Sequence, residues 1–383
     1  MHQREFFTTA LLYIASGLSV IPIRTDGSKA PLLKEWKPFQ FRRPTEDELR
    51  EWFDNEAGYG IAIIGGAVSG FLEIFDCDAP HLFQAWCELV ESLCPGLLIR
   101  LVIVLTPSGG FHVYYRSSEI EGNQKLAQQL IEVPEGTENG LWVDGQFVII
   151  KTLLETRGQG GYVLAPGSPL NCHAARKPYV LLSGDFSNIP TITKQERAIM
   201  LDAARSFNKY VRPERIYQPS STRRHLACTN RPGDDFNAKA DWHSLLTSHG
   251  WKYVFTRGEV AYWRRPGKPA PGISATTNYE GSNLLYIFST NAAPFEEKTA
   301  YSLFSAFTLL EYGGDFHASA KVLAGQGFGK LVKKKSKPPR LYPVLKPQQT
   351  FTLSKPLRPT NTTPLSKPSR PTTTTIINAE VRR

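Results

Sequence analysis

Over its first 210 residues the chain alternates short apolar runs with segments whose apolar positions recur at helical spacing. The short runs at 59–64, 70–78, 101–105, 111–116, 147–157 and 162–165 predict strands, several joined by glycine turns. Helical spacing at 44–53 and 81–92 predicts helices, and Thr45 followed by Glu48 reads as a capping box opening the first. The apolar opening predicts a buried helix ending at Gly17, then a strand over 19–23. A helix over 193–210 closes the series, and the mixed order predicts an α+β domain over residues 1–210.

The pattern then changes. Residues 211–230 are polar, with paired Arg223 and Arg224, and read as a linker. A smaller α+β unit is expected over 231–329, with a strand through 284–288 and a helix over 299–312. From 330 to 383 the sequence turns to Lys, Pro and Thr, a composition with too little apolar surface to order itself, so a disordered tail is expected there.

Charge sharpens this division. The net charge of +10 resides in the tail: 12 Lys and Arg against one acid follow position 330, leaving 33 bases against 34 acids before it. Nucleic-acid binding by the body must therefore rest on local chemistry rather than bulk charge. Five cysteines without a CxxC pair argue against a disulfide framework or a zinc site. Glu5, Thr8 and Thr9 interrupt the apolar opening, and no window has the length of a membrane span. A soluble, cytoplasmic protein is expected.

Three segments carry candidate chemistry. In Phe71–Asp78, Asp76 and Asp78 are two apart and share a strand face, an arrangement that suits a hard divalent ion but also occurs where a strand runs out into an Asp-Ala-Pro turn. In Thr106-Pro107-Ser108-Gly109-Gly110-Phe111-His112, a glycine turn between strands could bring backbone N–H groups, the Ser108 hydroxyl and His112 to an anion; an ordinary turn is the bland reading. In the third, Glu155 and Arg157 share a face before Gly158-Gln159-Gly160-Gly161, either as site residues or as a salt-bridged surface pair. Together the three supply what two-metal phosphoryl transfer needs: about three carboxylates, a grip on a triphosphate, and glycine turns that admit it.

The order D-x-D, S-G-G-x-H, then an acid followed by x-R-x-x-G-G-Y-V-x-A-P resembles the bifunctional primase-polymerase family of the archaeo-eukaryotic primase superfamily. Ser28-Lys29-Ala30-Pro31-Leu32 with Trp36, and Tyr179 to Gly184, resemble its opening and closing segments. The resemblance implies that Asp76, Asp78 and Glu155 hold catalytic Mg²⁺ or Mn²⁺, and that Ser108 and His112, with Gly109 and Gly110 in the turn, grip the incoming nucleotide. Lys29, Arg157 and His173 are secondary candidates for phosphate or nucleotide contact. Glu155 stands where the family often has Asp; the competitor Asp144, before Gly145, reads as a hairpin turn.

Residues 231–329 resemble a small module that follows this domain in phage and plasmid primase-helicases, yet no G-x-x-x-x-G-K-[ST] motor motif occurs in the chain. Trp242, Trp251 and Trp263 read as core residues, and Arg264 and Arg265 as candidate DNA contacts. The expected activity is template-directed primer synthesis and extension from nucleoside triphosphates on single-stranded DNA, in a phage, plasmid or other mobile element, beside a separate helicase. Two rivals remain open: a DNA-binding replication adaptor that has lost turnover, and a metal-dependent nuclease using the same acids.

Overall fold

The computed structural model describes residues 3–54, 58–211 and 231–329. The expected linker, apart from residue 211, and the expected tail lie outside the described residues. In chain order the first part contains α1 (Gln3–Ala15), β1 (Ser19–Ile23), α2 (Glu46–Phe53), β2 (Gly60–Ile64), β3 (Leu72–Cys77), α3 (Pro80–Leu93), β4 (Val102–Leu105) and β5 (Phe111–Arg116). It continues with β6 (Gln124–Glu132), β7 (Leu141–Val143), β8 (Gln146–Arg157), β9 (Tyr162–Leu164), β10 (Val180–Ser183) and α4 (Lys194–Arg205). The second part contains α5 (Pro232–Lys239), α6 (Trp242–Ser248), β11 (Lys252–Arg257), β12 (Val260–Arg264), β13 (Ala275–Thr277), β14 (Leu285–Ile287), β15 (Thr299–Tyr301), α7 (Leu303–Tyr312) and α8 (Phe316–Gly325).

Strand alternation builds the layers. A seven-stranded antiparallel sheet runs β10-β4-β5-β3-β8-β6, with β7 also on β8, and a three-stranded sheet runs β1-β2-β9. On β3, Leu72 and Ile74 pack with the three-stranded sheet and with α1 and α2, whereas Phe75 and Cys77 pack with α3 and α4. Phe75 stacks on Trp86 of α3 with ring centroids 4.3 Å apart. On the same face as Phe75 the carboxylate of Glu73 is fully buried and takes bonds from Arg197 Nε (2.5 Å), Arg197 Nη2 (2.8 Å) and the Tyr115 hydroxyl (2.9 Å), which ties α4 to the sheet.

The second part is a five-stranded antiparallel meander, β11 through β15 in order. One of its faces, with Trp263, Leu285, Ile287 and Tyr301, packs on its own helices. The other, with Tyr262, Tyr286 and Phe288, enters the cluster formed by α3 and α4. Arg257 reaches Glu88 of α3 at 2.5 Å and Lys268 reaches Asp202 of α4 at 2.7 Å, so the described residues fall within one compact unit.

The capping box at Thr45 and Glu48 is present, and a second one, Thr193 with Glu196, opens α4. Two expected helices are shorter in fact. Thr299–Tyr301 pairs with β14 as a strand, and Ser302 caps α7 only after it. The helix expected over 193–210 stops at Arg205, beyond which Asn208 bonds the backbone of Gln128 and Tyr210. The four cysteines among the described residues are unpaired thiols. None of the described helices is long and apolar enough to cross a membrane.

Candidate active site

Antiparallel register brings the three motifs into one line. Asp76 on β3 stands opposite His112 on β5 and opposite Glu155 on β8, and Glu155 stands opposite Lys125 on β6. Directly opposed residues share a sheet face, so His112, Asp76, Glu155 and Lys125 form a row. Asp78 follows two residues after Asp76, just past the end of β3, where its N–H bonds the carbonyl of Leu153. Asp76, Asp78 and Glu155 each offer an oxygen within 4.8 Å of the others. Asp76 and Glu155 are buried, and Asp78 is exposed.

The electrostatics match a cation-binding trio. Burial, then the neighbouring charges of Asp78 and Glu155, push the Asp76 carboxyl well above the ordinary carboxylate range, against the pull of Arg157 and Lys29. Burial likewise raises Glu155; Arg157 and Lys125 oppose the shift and Asp78 adds to it. Arg157 binds Glu155 at 2.5 Å and approaches Asp76 to 3.6 Å, yet Asp76 Oδ1, although buried, has no hydrogen-bond partner among the described residues. A buried carboxylate oxygen without a donor is costly. An all-oxygen trio holding such an atom fits a hard divalent cation such as Mg²⁺ or Mn²⁺.

His112 lies 3.6 Å from Asp76 through Nε2, and its Nδ1 is 3.3 Å from the Tyr114 hydroxyl. Burial, with the positive charges of Lys29 and Arg157, pushes its pKa down to about 3, which favours the neutral ring. The turn before it is tightly built. Gly109 has φ +86°, and a Cβ on Gly110 would sit 2.3 Å from the carbonyl oxygen of Cys77, so these glycines let the turn close over the end of β3. Ser108 is exposed at its tip, 3.1 Å from the Thr106 hydroxyl.

Most of these groups line a cleft of about 400 Å³ between the seven-stranded and three-stranded sheets. Of the residues singled out in the sequence, Lys29, Asp76, Asp78, Ser108, His112 and Arg157 line it; Glu155 stands behind Arg157 in the acidic row, and Gly109, Gly110 and His173 are not part of the wall. Trp36, Tyr162 and Tyr179 supply aromatic walls, with Trp36 edge-on to Tyr162 at 5.2 Å. Asn123, which no sequence motif marked, also lines it and accepts a bond from the Gly158 N–H at 3.2 Å. Asp144 lies away from the acids in the β7–β8 turn, where it and Gly145 both have positive φ. Arg264 and Arg265 belong to the five-stranded sheet and its following loop; Arg265 bonds Ser289 Oγ and the carbonyl of Pro266.

Residues 10–193 match the family model of the Prim-Pol domain, described as bifunctional DNA primase/polymerase, N-terminal. This part of the chain is thus a Prim-Pol domain, and it contains all three carboxylates, the glycine turn and the cleft. No curated protein matches the chain.

Proposed function

We propose that this chain is a nucleotidyltransferase that makes and extends primers on single-stranded DNA, with its chemistry in the cleft between the two sheets. The observation that carries the reading is the convergence of Asp76, Asp78 and Glu155, with Asp76 Oδ1 unpartnered among the described residues, within a Prim-Pol domain. The three acids would hold Mg²⁺ or Mn²⁺, which when bound supplies charge neutralisation for phosphates and a lowered pKa for the attacking hydroxyl.

The chain's own residues do the rest. Lys29, exposed at the cleft mouth, and Arg157, set between two carboxylates, offer positive charge to a triphosphate. His112 and Ser108 offer hydrogen bonds at the base and tip of the turn, and the glycine backbone permits close approach. Trp36, Tyr162 and Tyr179 give a base or sugar apolar surface and keep water from part of the cleft. This set of donors around a carboxylate trio favours nucleotide addition over the nuclease reading, which has no use for a triphosphate grip. A mobile-element setting belongs to the same proposal, on the resemblance of residues 231–329 to the module that follows this domain in phage and plasmid primase-helicases.

The test is incorporation of labelled nucleotides on a single-stranded template with Mg²⁺ or Mn²⁺, products being sized on a gel. Elongating products from the wild type and none from Asp76→Ala/Asp78→Ala are expected. Shortened template strands would establish the nuclease, and template binding with no new product would establish the adaptor.

A further inference from the structure

A second recess, of about 390 Å³, opens at the free edge of the seven-stranded sheet, where β6 meets the end of α4 and the β14–β15 connection. Lys125, Arg205 and Lys298 line it together with several side-chain amides and Tyr210, and no carboxylate is among the described residues of its wall. It adjoins the acidic cleft, since Asn123 lines both. The catalytic row itself leads into it, because Lys125 is the cross-strand neighbour of Glu155. Register shifts between Lys125 and Gln128 interrupt the β6 ladder at this point, as bulges do where an edge is re-aimed.

The charge here is only partly spoken for. Lys298 is exposed and meets Glu297 loosely at 3.8 Å. Arg205 is held by Asp202 (2.9 Å) and Gln124 (2.8 Å), but its buried Nε–H has no acceptor among the described residues. Asp202, the nearest acid on α4, is taken up by Arg205 and by Lys268. Tyr210 is partly exposed, and its backbone N–H bonds the carbonyl of Gln128, which anchors it beside β6.

We propose that this recess carries the single strand on which the catalytic cleft works, Lys125 and Lys298 holding phosphates and Tyr210 offering its ring to a base. Cations spaced along a groove with an aromatic platform and amide side chains are what sequence-tolerant single-strand binding requires. The inference rests on the primer-synthesis reading and extends it. It makes residues 231–329 a contributor to the strand path through Lys298, and it locates that path at the β6 edge rather than at Arg264 and Arg265.

The experiment measures binding of a labelled oligo(dT) to the full chain by anisotropy at several salt concentrations, without nucleotide. Relative to wild type, Lys125→Ala/Lys298→Ala should flatten the log–log salt dependence by roughly 1.4, about 0.7 for each lost phosphate contact on a single strand. Tyr210→Ala should weaken binding about tenfold with the salt slope unchanged, the signature of lost stacking. Both variants alter partly or fully exposed positions, and a thermal unfolding scan of each is the control that it remains folded. An unchanged slope in the double lysine variant, or a flattened slope in Arg264→Ala/Arg265→Ala instead, overturns the proposal. Failure of the catalytic reading has a different signature: oligonucleotide binding through the β6 edge but no incorporation by wild type. Failure of the groove alone would appear as normal incorporation with lysine-independent binding.

Discussion

The seven-stranded and five-stranded sheets are both antiparallel, and both bury polar groups, but they treat those groups differently. In the five-stranded sheet the buried polar atoms of the large side chains are satisfied: Trp263 Nε1 donates to Thr277 Oγ1 at 3.0 Å, and the Tyr286 hydroxyl accepts from Asn208 Nδ2 at 3.2 Å. The exceptions there are neutral hydroxyls, Ser274 Oγ and Thr276 Oγ1. In the seven-stranded sheet the central row holds two buried carboxylates beside each other, one with an oxygen that bonds to nothing among the described residues. A buried carboxylate oxygen without a hydrogen-bond donor is more costly than such a hydroxyl. One sheet is built for packing, while the other gives up stability along one row, and that row lies in the Prim-Pol domain.

This contrast can be broken experimentally. The largest effect is expected at the acids: Asp76→Ala or Asp78→Ala should lower incorporation by on the order of 10³-fold, since several kcal/mol of transition-state charge stabilisation are lost. The same Asp76→Ala protein, free of metal, should be no less stable to urea than wild type, because carboxylate repulsion is relieved. Next come the packed regions. Trp263→Ala should destabilise by about 3–5 kcal/mol in urea unfolding, as large core truncations do. Arg197→Ala, which strands the buried Glu73 carboxylate, should cost a similar amount, about 3–5 kcal/mol. A small loss at Trp263 would remove the claim that the second sheet is a packing element.

Smaller effects sharpen the roles within the cleft. His112→Ala should weaken nucleotide binding by roughly 10- to 100-fold, the worth of a hydrogen bond to a charged group, while template affinity stays within twofold. Parallel titrations of nucleotide and of oligonucleotide separate the two. Arg264→Ala should change stability and nucleotide affinity least, within about 0.5 kcal/mol, because it lies outside the cleft at a half-buried position without an ion pair among the described residues.

Much of the site's local chemistry was legible in the sequence because strand periodicity encodes facing. Asp76 and Asp78 two apart, and Glu155 and Arg157 two apart, had to share faces once 70–78 and 147–157 were strands, and β3 and β8 lie over those stretches. The Asp144–Gly145 hairpin was legible for a related reason, since both residues tolerate positive φ. Which strands would pair was not legible from periodicity. The row His112–Asp76–Glu155–Lys125 depends on β5-β3-β8-β6 adjacency, which is a long-range outcome of packing. Nothing in the sequence marks Lys125, or Asn123 just before it, because β6, rich in Gln and carrying a register shift, lacks a clean apolar alternation. In the sequence Thr299–Tyr301 reads as the start of α7 because its three residues adjoin a helix without a glycine or proline between them.

Manganese binding to the metal-free protein tests the central claim most directly. Titrating Mn²⁺ and following the loss of its free paramagnetic signal, wild type should show saturable binding, and Asp76→Asn/Asp78→Asn should lose it while retaining the wild-type circular dichroism spectrum. Identical isotherms for the two proteins would contradict the account, since the carboxylates brought together on β3 and β8 would then not be the metal's ligands.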